Sequence, residues 1–271
     1  MVVMVRLQTL SRAADGGQIL RHPLLISLNY SPLSISYPQR RYVEVNQLRT
    51  NNEVAGFKFA TVGVLYAVLL AFAVVVVWEK FNQAESEVAK EAGAAATVFR
   101  LSQGVDPERG AAIREATRYY LTSAIAIDWP AMESGTQSPA TTEALNEIYN
   151  AVLKFQSLGT DERLVLAEML RQVDRISEAR RERRVMADGI VPAIIWVVLF
   201  GGAFLTVGFT FFFGAENLRA QSLMTGALSI LIFAGLLTVV AIDYPFAGTV
   251  KVGPEALVAV VKDFAETPPL R

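Results

Sequence analysis

The chain has 271 residues, of which 52% are hydrophobic and 19% charged, and its mean hydropathy is +0.35. A formal net charge of −1 provides no overall field that would attract nucleic acid or an acidic substrate. The sequence has no cysteine and a single histidine, His22, which excludes disulfides and thiol catalysis and leaves no ligand set for a histidine or cysteine metal site.

The first 47 residues contain no segment that reads as a membrane-spanning helix. Charged residues, asparagine and prolines interrupt the most apolar stretch, 19–37, and the apolar core of a signal peptide is missing. We therefore expect residues 1–47 to form a poorly ordered or atypical N-terminal segment. With three spans this segment would lie outside the cell, where its five arginines and the nearby Arg49 conflict with the charge bias of membrane proteins.

The first predicted transmembrane helix occupies residues 48–78, with a polar lead-in before the apolar run FATVGVLYAVLLAFAVVVVW at 59–78. This run has no acidic or basic residue, and about 20 apolar residues suffice to cross a bilayer. Backbone groups in lipid must be bonded within the segment, so the run is predicted to be a helix. Two further runs of this kind later in the chain argue against a buried helix of a soluble protein.

Residues 79–189 are polar and helix-forming, and we predict a cytoplasmic helical domain here. The first helix continues without a breaker to about Gln103. Cap residues followed by proline or acids predict three further starts, which are Asp106-Pro107-Glu108, Ser138-Pro139 and Thr160-Asp161-Glu162. The corresponding helices are predicted to end near Trp129-Pro130, near Phe155 and before the second span, with a loop at 134–137.

The last helix of this domain ends in a cluster of basic residues next to the second span. Basic residues beside a span stay on the cytoplasmic side, so the cluster is predicted to set the topology, or also to bind anionic lipid headgroups. Its members are Arg180, Arg181, Arg183 and Arg184. Further upstream an apolar seam is predicted to pack on another helix, and it comprises Leu166, Met169 or Leu170, Val173 and Ile176.

Residues 190–242 predict a transmembrane hairpin, with spans at 190–214 and 223–242 and Pro192 in the first turn of the former. Small residues in both spans either allow close helix contact or reflect ordinary membrane composition. They are Gly201, Gly202 and Gly208 in one span and Ala227, Ala234 and Ala241 in the other. Residues 243–271 follow as a C-terminal cytoplasmic segment.

An acid stands directly after the third span, at Asp243. A carboxylate is unfavourable at the C-terminal end of a helix, so Asp243 should need a cation or a capping hydrogen bond. Pro245 disfavours helical geometry in the residue before it and acts as a stop signal. The string Asp243-Tyr244-Pro245-Phe246 is therefore interpreted first as a structural stop signal and second as a functional site.

Four strings in this order resemble the bacterial bestrophin-like domain family of unknown function, over about residues 48–260. They are Asn51-Asn52-Glu53-Val54-Ala55-Gly56-Phe57-Lys58, Val62-Gly63-Val64-Leu65-Tyr66-Ala67, Asp128-Trp129-Pro130 and Asp243-Tyr244-Pro245-Phe246-x-Gly248. The resemblance implies an all-α membrane protein with a fourth, N-terminal span, which is absent here. One hypothesis is that residues 1–47 replace that lost helix.

The chain is also distantly similar to the bestrophin anion channels, which are pentamers with an apolar pore neck. Carried over by position, the neck would be formed by Val64, Val68 and Phe72, which share one helix face. Narrow apolar rings gate ions by dewetting. The same residues are also typical of a face that contacts lipid or packs on another helix. No acidic run follows the last span, so no calcium site is carried over.

Two functions remain open from the sequence. One is a homo-oligomeric anion channel, pentameric if it is bestrophin-like, in the inner (plasma) membrane. The other is a membrane-anchored helical scaffold whose cytoplasmic domain binds a partner protein. No nucleophile elbow, phosphate-binding loop or HExxH motif is present, so neither an enzyme nor a cofactor is expected.

Overall fold

The computed structural model describes residues 52–136, 138–154, 160–214 and 217–266, and these contain helices and turns but no strand. The predictions for residues 1–47 lie outside this part of the chain. In chain order the α-helices are α1 (Asn52–Leu101), α2 (Pro107–Ser123), α3 (Trp129–Glu133), α4 (Ala140–Leu153), α5 (Thr160–Met186), α6 (Ala193–Phe209), α7 (Leu218–Ile242) and α8 (Glu255–Glu266). The predicted all-helical fold is confirmed for the described residues.

Three helices of the described chain are long and apolar enough to cross a membrane, as predicted. They are α1, α6 with the 3-10 turn that follows it, and α7. Within the chain only 17–22% of each apolar window is buried, so most of this surface needs lipid or another protein as its surroundings. At 50 residues, or about 75 Å, α1 is longer than a span requires and continues beyond its apolar run.

The described chain forms two compact units. Unit 1 holds the first part of α1, up to Leu70, and Trp196–Val240 of α6 and α7. Unit 2 holds Ala71–Ile195 together with the chain from Ala241 onward.

Glycines bring the helices of unit 1 close together. A Cβ added at Gly202 would lie 2.5 Å from Cδ2 of Tyr66, and one at Gly235 would lie 2.7 Å from Cδ2 of Leu70. Small residues permit this approach in membrane helices. By contrast, Gly201 and Gly208 have no atom within 4 Å of such a Cβ, so one of the three predicted glycines makes the contact.

The alanines predicted as a contact face of the third span do not form the core of unit 1. The side chains of Ala227 and Ala234 are exposed. The buried face of α7 instead carries Ile232, Leu236 and Val239. The pattern of alanines therefore reflects a surface that the single chain leaves open.

We expect Gly202→Ala to destabilise the protein by roughly 1–3 kcal/mol, because the new methyl group would overlap the ring of Tyr66. The matched control is Gly201→Ala, one residue away, where the added methyl group meets no atom within 4 Å. The measurement is the midpoint of thermal unfolding in detergent, monitored as the loss of the monodisperse peak on size exclusion after heating. Equal midpoints for the two variants would contradict this account of the contact.

Unit 2 is a helical bundle around the second half of α1. Buried positions recur on α1 at alternating spacings of four and three residues, which is the pattern of a helix packed against other helices. They are Ala84, Val88, Glu91, Ala95 and Val98. On α5, the predicted seam is confirmed, and the choice between Met169 and Leu170 falls to Met169, which is fully buried with Val173 and Ile176.

The helix that begins after Asp106 does not stop near Trp129-Pro130, and this prediction was wrong. A π turn at Ala124–Asp128 follows α2, and the chain continues into α3. The N–H of Trp129 bonds to the carbonyl of Ala124, five residues earlier. Because the turn is widened here, Pro130 enters the first turn of α3, where its missing N–H costs little.

The other boundaries of this region follow the prediction closely. Ser134–Thr136 form a turn, and α4 and α5 begin within two residues of the predicted starts. Gln137 and Phe155 lie outside the described residues. The second span differs, because α6 begins at Ala193, so that Pro192 precedes the helix instead of occupying its first turn.

The C-terminal segment contains a helix, α8, that the sequence analysis missed. Phe264 of α8 stacks on Phe99 of α1 with ring centroids 3.6 Å apart, and Leu257 is fully buried. The signals were present, since Pro254 and Glu255 precede apolar residues at helical spacing. The segment is therefore part of the core of unit 2.

Candidate functional site

The three predicted neck residues lie on one exposed face of α1. The exposed fraction is 64% for Val64, 47% for Val68 and 66% for Phe72. Such values are high for large apolar side chains and are not explained by packing within the chain. This face is called the neck face below.

The opposite side of α1 holds the helix in unit 1. Tyr66 and Leu70 lie two residues before and after Val68, which places them about 160° around the helix from it. These two side chains contact Gly202 and Gly235, as described above. The orientation of α1 in unit 1 is thus fixed with Val64 and Val68 turned away from α6 and α7.

An exposed apolar face on a spanning helix has three possible surroundings: lipid, another copy of the chain, or a narrow pore between copies. Lipid imposes no requirement on which apolar residues occur. A pore requires apolar side chains in register on one face, because only rings of such side chains can exclude water and ions. The neck face meets this geometric requirement over two turns of helix.

The first motif string, on α1, contacts the end of the second span. The side-chain amide of Asn52 donates to the carbonyl of Gly214 at 3.1 Å and its oxygen accepts from the N–H of Gly214 at 3.0 Å. Gly56 lies beside the ring of Phe213, where an added Cβ would be 3.9 Å from Cε1. Glu53 is exposed, and Gly63 has no neighbour within 4 Å of such a Cβ. The structure therefore gives a hydrogen-bonding role to Asn52, whereas a Cβ at Gly56 would make only an ordinary contact.

Asp243 accepts the capping hydrogen bonds that its position after the third span requires. Its Oδ1 accepts from the N–H of Ile190 at 3.1 Å and from the N–H of Val191 at 2.7 Å. Gly189 has φ +95° and lies against the ring of Tyr244, where a Cβ would be 2.9 Å from Cε1. The carboxylate of Asp243 thereby fixes the turn that leads from α5 into α6.

The remaining residues of the last motif string form a turn in which Pro245 and Phe246 are buried. The N–H of Val252 donates to the carbonyl of Pro245 at 2.7 Å, and Gly248, at φ +105°, makes the reversal possible. Phe246 is buried edge-on against Trp129, whose Nε1 donates to the carbonyl of Val252 at 3.3 Å. Two separate motif strings are thus in contact, while Pro130 is exposed.

A buried cluster of charges lies beside this turn in unit 2. Arg183 binds Glu91 through Nε at 2.8 Å and Nη2 at 3.1 Å, and both side chains are fully buried. Arg180 binds Asp128 in the same bidentate way, at 2.8 and 3.2 Å. Nη2 of Arg183 also reaches Asp128 at 3.3 Å, so two cations and two anions form one connected network.

Two aromatic side chains complete this network. The hydroxyl of Tyr120 donates to Oε1 of Glu91 at 2.5 Å. The guanidinium of Arg183 lies over the ring of Trp129, 4.4 Å from its centroid, which adds a cation–π contact. The network therefore joins α1, α2, α5 and the π turn.

The environment sets the protonation of the network. Burial acts against the charge of Asp128, but the hydrogen bond and charge of Arg180 outweigh it and lower the pKa of Asp128. Burial and then the charge of Glu91 raise the pKa of the Tyr120 hydroxyl well above its usual value. Burial likewise opposes the charge of Arg183, but Glu91 outweighs it and raises the pKa of Arg183.

Two of the four arginines that were predicted to set the topology are therefore core residues. Arg180 and Arg183 are buried, whereas Arg181 is exposed. The two buried side chains are not available to lipid headgroups. The sequence contained a signal for this, because Arg180 and Arg183 continue the spacing of the buried seam on α5. That the four arginines set the membrane topology stays a prediction.

Acid should weaken the folded state partly through Asp128. Its folded pKa lies below the unfolded value of about 3.9, so its contribution is present above that pH and is lost as the pH falls through the folded pKa. We expect Asp128→Asn to reduce the midpoint of thermal unfolding at pH 7 and to flatten its decline between about pH 5 and pH 3. A variant with the same decline as wild type would contradict this assignment.

No ligand chemistry is evident in the charged network itself. In the part of the chain that the structure describes, no group of three or more His, Cys, Asp or Glu side chains could hold a metal ion. Every charge in the network faces an opposite charge at hydrogen-bond distance. The network is thus suited to holding the bundle together, and the neck face is the stronger candidate for function.

The fold and these contacts define an all-helical membrane protein with a long first spanning helix. The Bestrophin-like domain model matches residues 30–257, which is most of the chain, and the chain belongs to this family. No protein of curated function matches the chain.

Solved structures of a bacterial bestrophin homologue from Klebsiella pneumoniae share the fold. One variant is 14% identical, with a TM-score of 0.64, and the match covers 80% of this chain and 91% of that chain. Another variant is 13% identical, with a TM-score of 0.65, and covers 89% and 93%. At such low identity the likeness concerns the fold alone.

Proposed function

We propose that this chain forms a homo-oligomeric ion channel in which α1 lines the pore and Val64, Val68 and Phe72 form an apolar neck. The single observation that supports this is the neck face, which is exposed and apolar while the opposite side of α1 packs on α6 and α7. Copies arranged around an axis would bring three rings of apolar side chains together. Such rings pass ions only when they are wide enough to stay wet.

The number of copies and the orientation belong to the same proposal. The family resemblance supports a pentamer in the inner (plasma) membrane, with residues 79–189 and 243–271 on the cytoplasmic side. The exposed Arg181 beside the second span supports this orientation through the charge bias of membrane proteins. The resemblance gives anions as the permeant ions, but the neck itself is uncharged and imposes no sign on the ion.

The proposal is tested by purifying the full chain in mild detergent, sizing it, and reconstituting it into liposomes that contain a potassium chloride gradient. A symmetric oligomer that carries ion current supports the channel. A monomer without conductance would overturn it.

The alternative is a membrane-anchored scaffold, and an open groove in unit 2 favours it. The groove has a volume of about 720 Å³ and lies between α1 and α5. Both walls carry both signs of charge, with Glu87 and Lys90 on α1 and Arg175, Glu178 and Glu182 on α5, which suits a polar partner surface. A monomeric chain that retains a cytoplasmic partner on purification would favour this function.

A further inference from the structure

We propose that Glu79 determines the sign of the permeant ion and makes the pore selective for cations. This inference rests on the proposed channel and concerns the first charged residue that follows the neck face along α1. It assigns a specificity-determining role to one carboxylate that no motif string includes.

Glu79 lies seven residues after Phe72 on the same continuous helix, α1. Seven residues are close to two full turns, so Glu79 is displaced by only about 20° from Phe72 and about 20° from Val68 around the helix axis. Val75 lies between them on the same side and is exposed. Glu79 is also exposed, and among the described residues none forms an ion pair with it.

The charges nearby do not neutralise Glu79 on this face. Lys80 points about 100° further around the helix, where its Nζ donates to Oε1 of Gln83 at 2.9 Å. The next basic residue along the face is Lys90, about 16 Å further, and it binds Glu87 at 2.7 Å. Asn82, Ser86 and Gly93 lie on the same side of α1 and are uncharged.

An ion that has passed the neck would therefore meet a ring of carboxylates first, one from each copy. Rings of acidic side chains are the usual feature of cation pathways, as basic rings are of anion pathways. In water, one unit charge at about 6 Å changes the local concentration of a monovalent ion about threefold. Several copies around one axis would multiply this preference.

The experiment measures the reversal potential of the full-length protein in uncharged phosphatidylcholine bilayers under a potassium chloride gradient. The reversal potential of the wild-type protein should lie close to the equilibrium potential of potassium. Glu79→Gln should lower the ratio of potassium to chloride permeability at least about threefold, and Glu79→Lys should favour chloride. The matched control, Glu85→Gln, removes another exposed carboxylate that lies about 100° away from the line of Val68 and should leave the ratio unchanged.

The outcomes separate this inference from the channel itself. Size exclusion first establishes that each variant forms the wild-type oligomer. A conducting wild type that selects chloride, or a Glu79→Gln variant with an unchanged ratio, would overturn the role of Glu79 and leave the channel in place. Absence of current in wild type would overturn the channel, and the inference with it.

Discussion

Arg183→Met should lower the free energy of unfolding by about 3–5 kcal/mol, the largest effect on stability that we expect from any single side chain. The substitution keeps much of the apolar stem but leaves the fully buried Glu91 without its bidentate cation. Among the described residues, the hydroxyl of Tyr120 alone would still donate to that carboxylate. For a chain of this size the loss corresponds to a fall of roughly 6–20 °C in Tm.

The design separates the loss of an ion pair from the loss of packing. Arg181→Met removes the same charge from an exposed position two residues away and should change stability by no more than about 0.5 kcal/mol. Adding Glu91→Met to Arg183→Met removes the stranded charge, so the double variant should regain much of the lost stability. A double variant that is the sum of its single variants would show that the two side chains are not coupled.

The spanning helices could be predicted from the sequence because lipid leaves few solutions for a long uncharged run. Residues 59–78 had to be helical, and nothing after Trp78 could end the helix. The length of α1 was predicted correctly for that reason, and the start of α5 was predicted from its cap residue and the acids that follow it. The start of α6 was not predicted, because it depends on a distant residue, Asp243.

Long-range pairing accounts for most of what the sequence analysis missed. Glu91 and Arg183 are 92 residues apart, and no local rule connects them. Four arginines near a span are typical of an exposed basic cluster, and only their phase relative to Ile176 distinguishes the buried two. The late start of α6 has the same cause, because Asp243, 52 residues away, holds the N–H of Val191.

The position of the candidate site on α1 could be predicted from the sequence, but its exposure could not. Helical spacing alone places Val64 and Val68 on one face. Whether that face is buried within the chain depends on the close contact between Tyr66 and Gly202, which is seen only in the structure. Since the contact fixes the opposite side of α1, the exposure of the neck face is a structural result, and the pore is the proposal that follows from it.

Phe72→Ala should raise the ion conductance of the reconstituted protein about tenfold, which corresponds to lowering the barrier at the neck by about 1.4 kcal/mol. Phe72 has the largest side chain of the three neck residues and is 66% exposed. Replacing it in every copy widens the narrowest apolar ring, so water remains in the neck and the cost of dehydrating an ion falls. Single-channel recording in planar bilayers measures this change directly.

The matched control is Phe204→Ala, which removes an even more exposed phenylalanine, 79%, from α6 and not from the neck face. If the effect of Phe72 came from contact with lipid, both variants should change the current and the stability alike. If Phe72 belongs to a pore neck, the two variants should have similar Tm values and only Phe72→Ala should conduct more. Unchanged conductance in Phe72→Ala, in a protein that conducts and forms the wild-type oligomer, would place the neck elsewhere on α1 or on another helix.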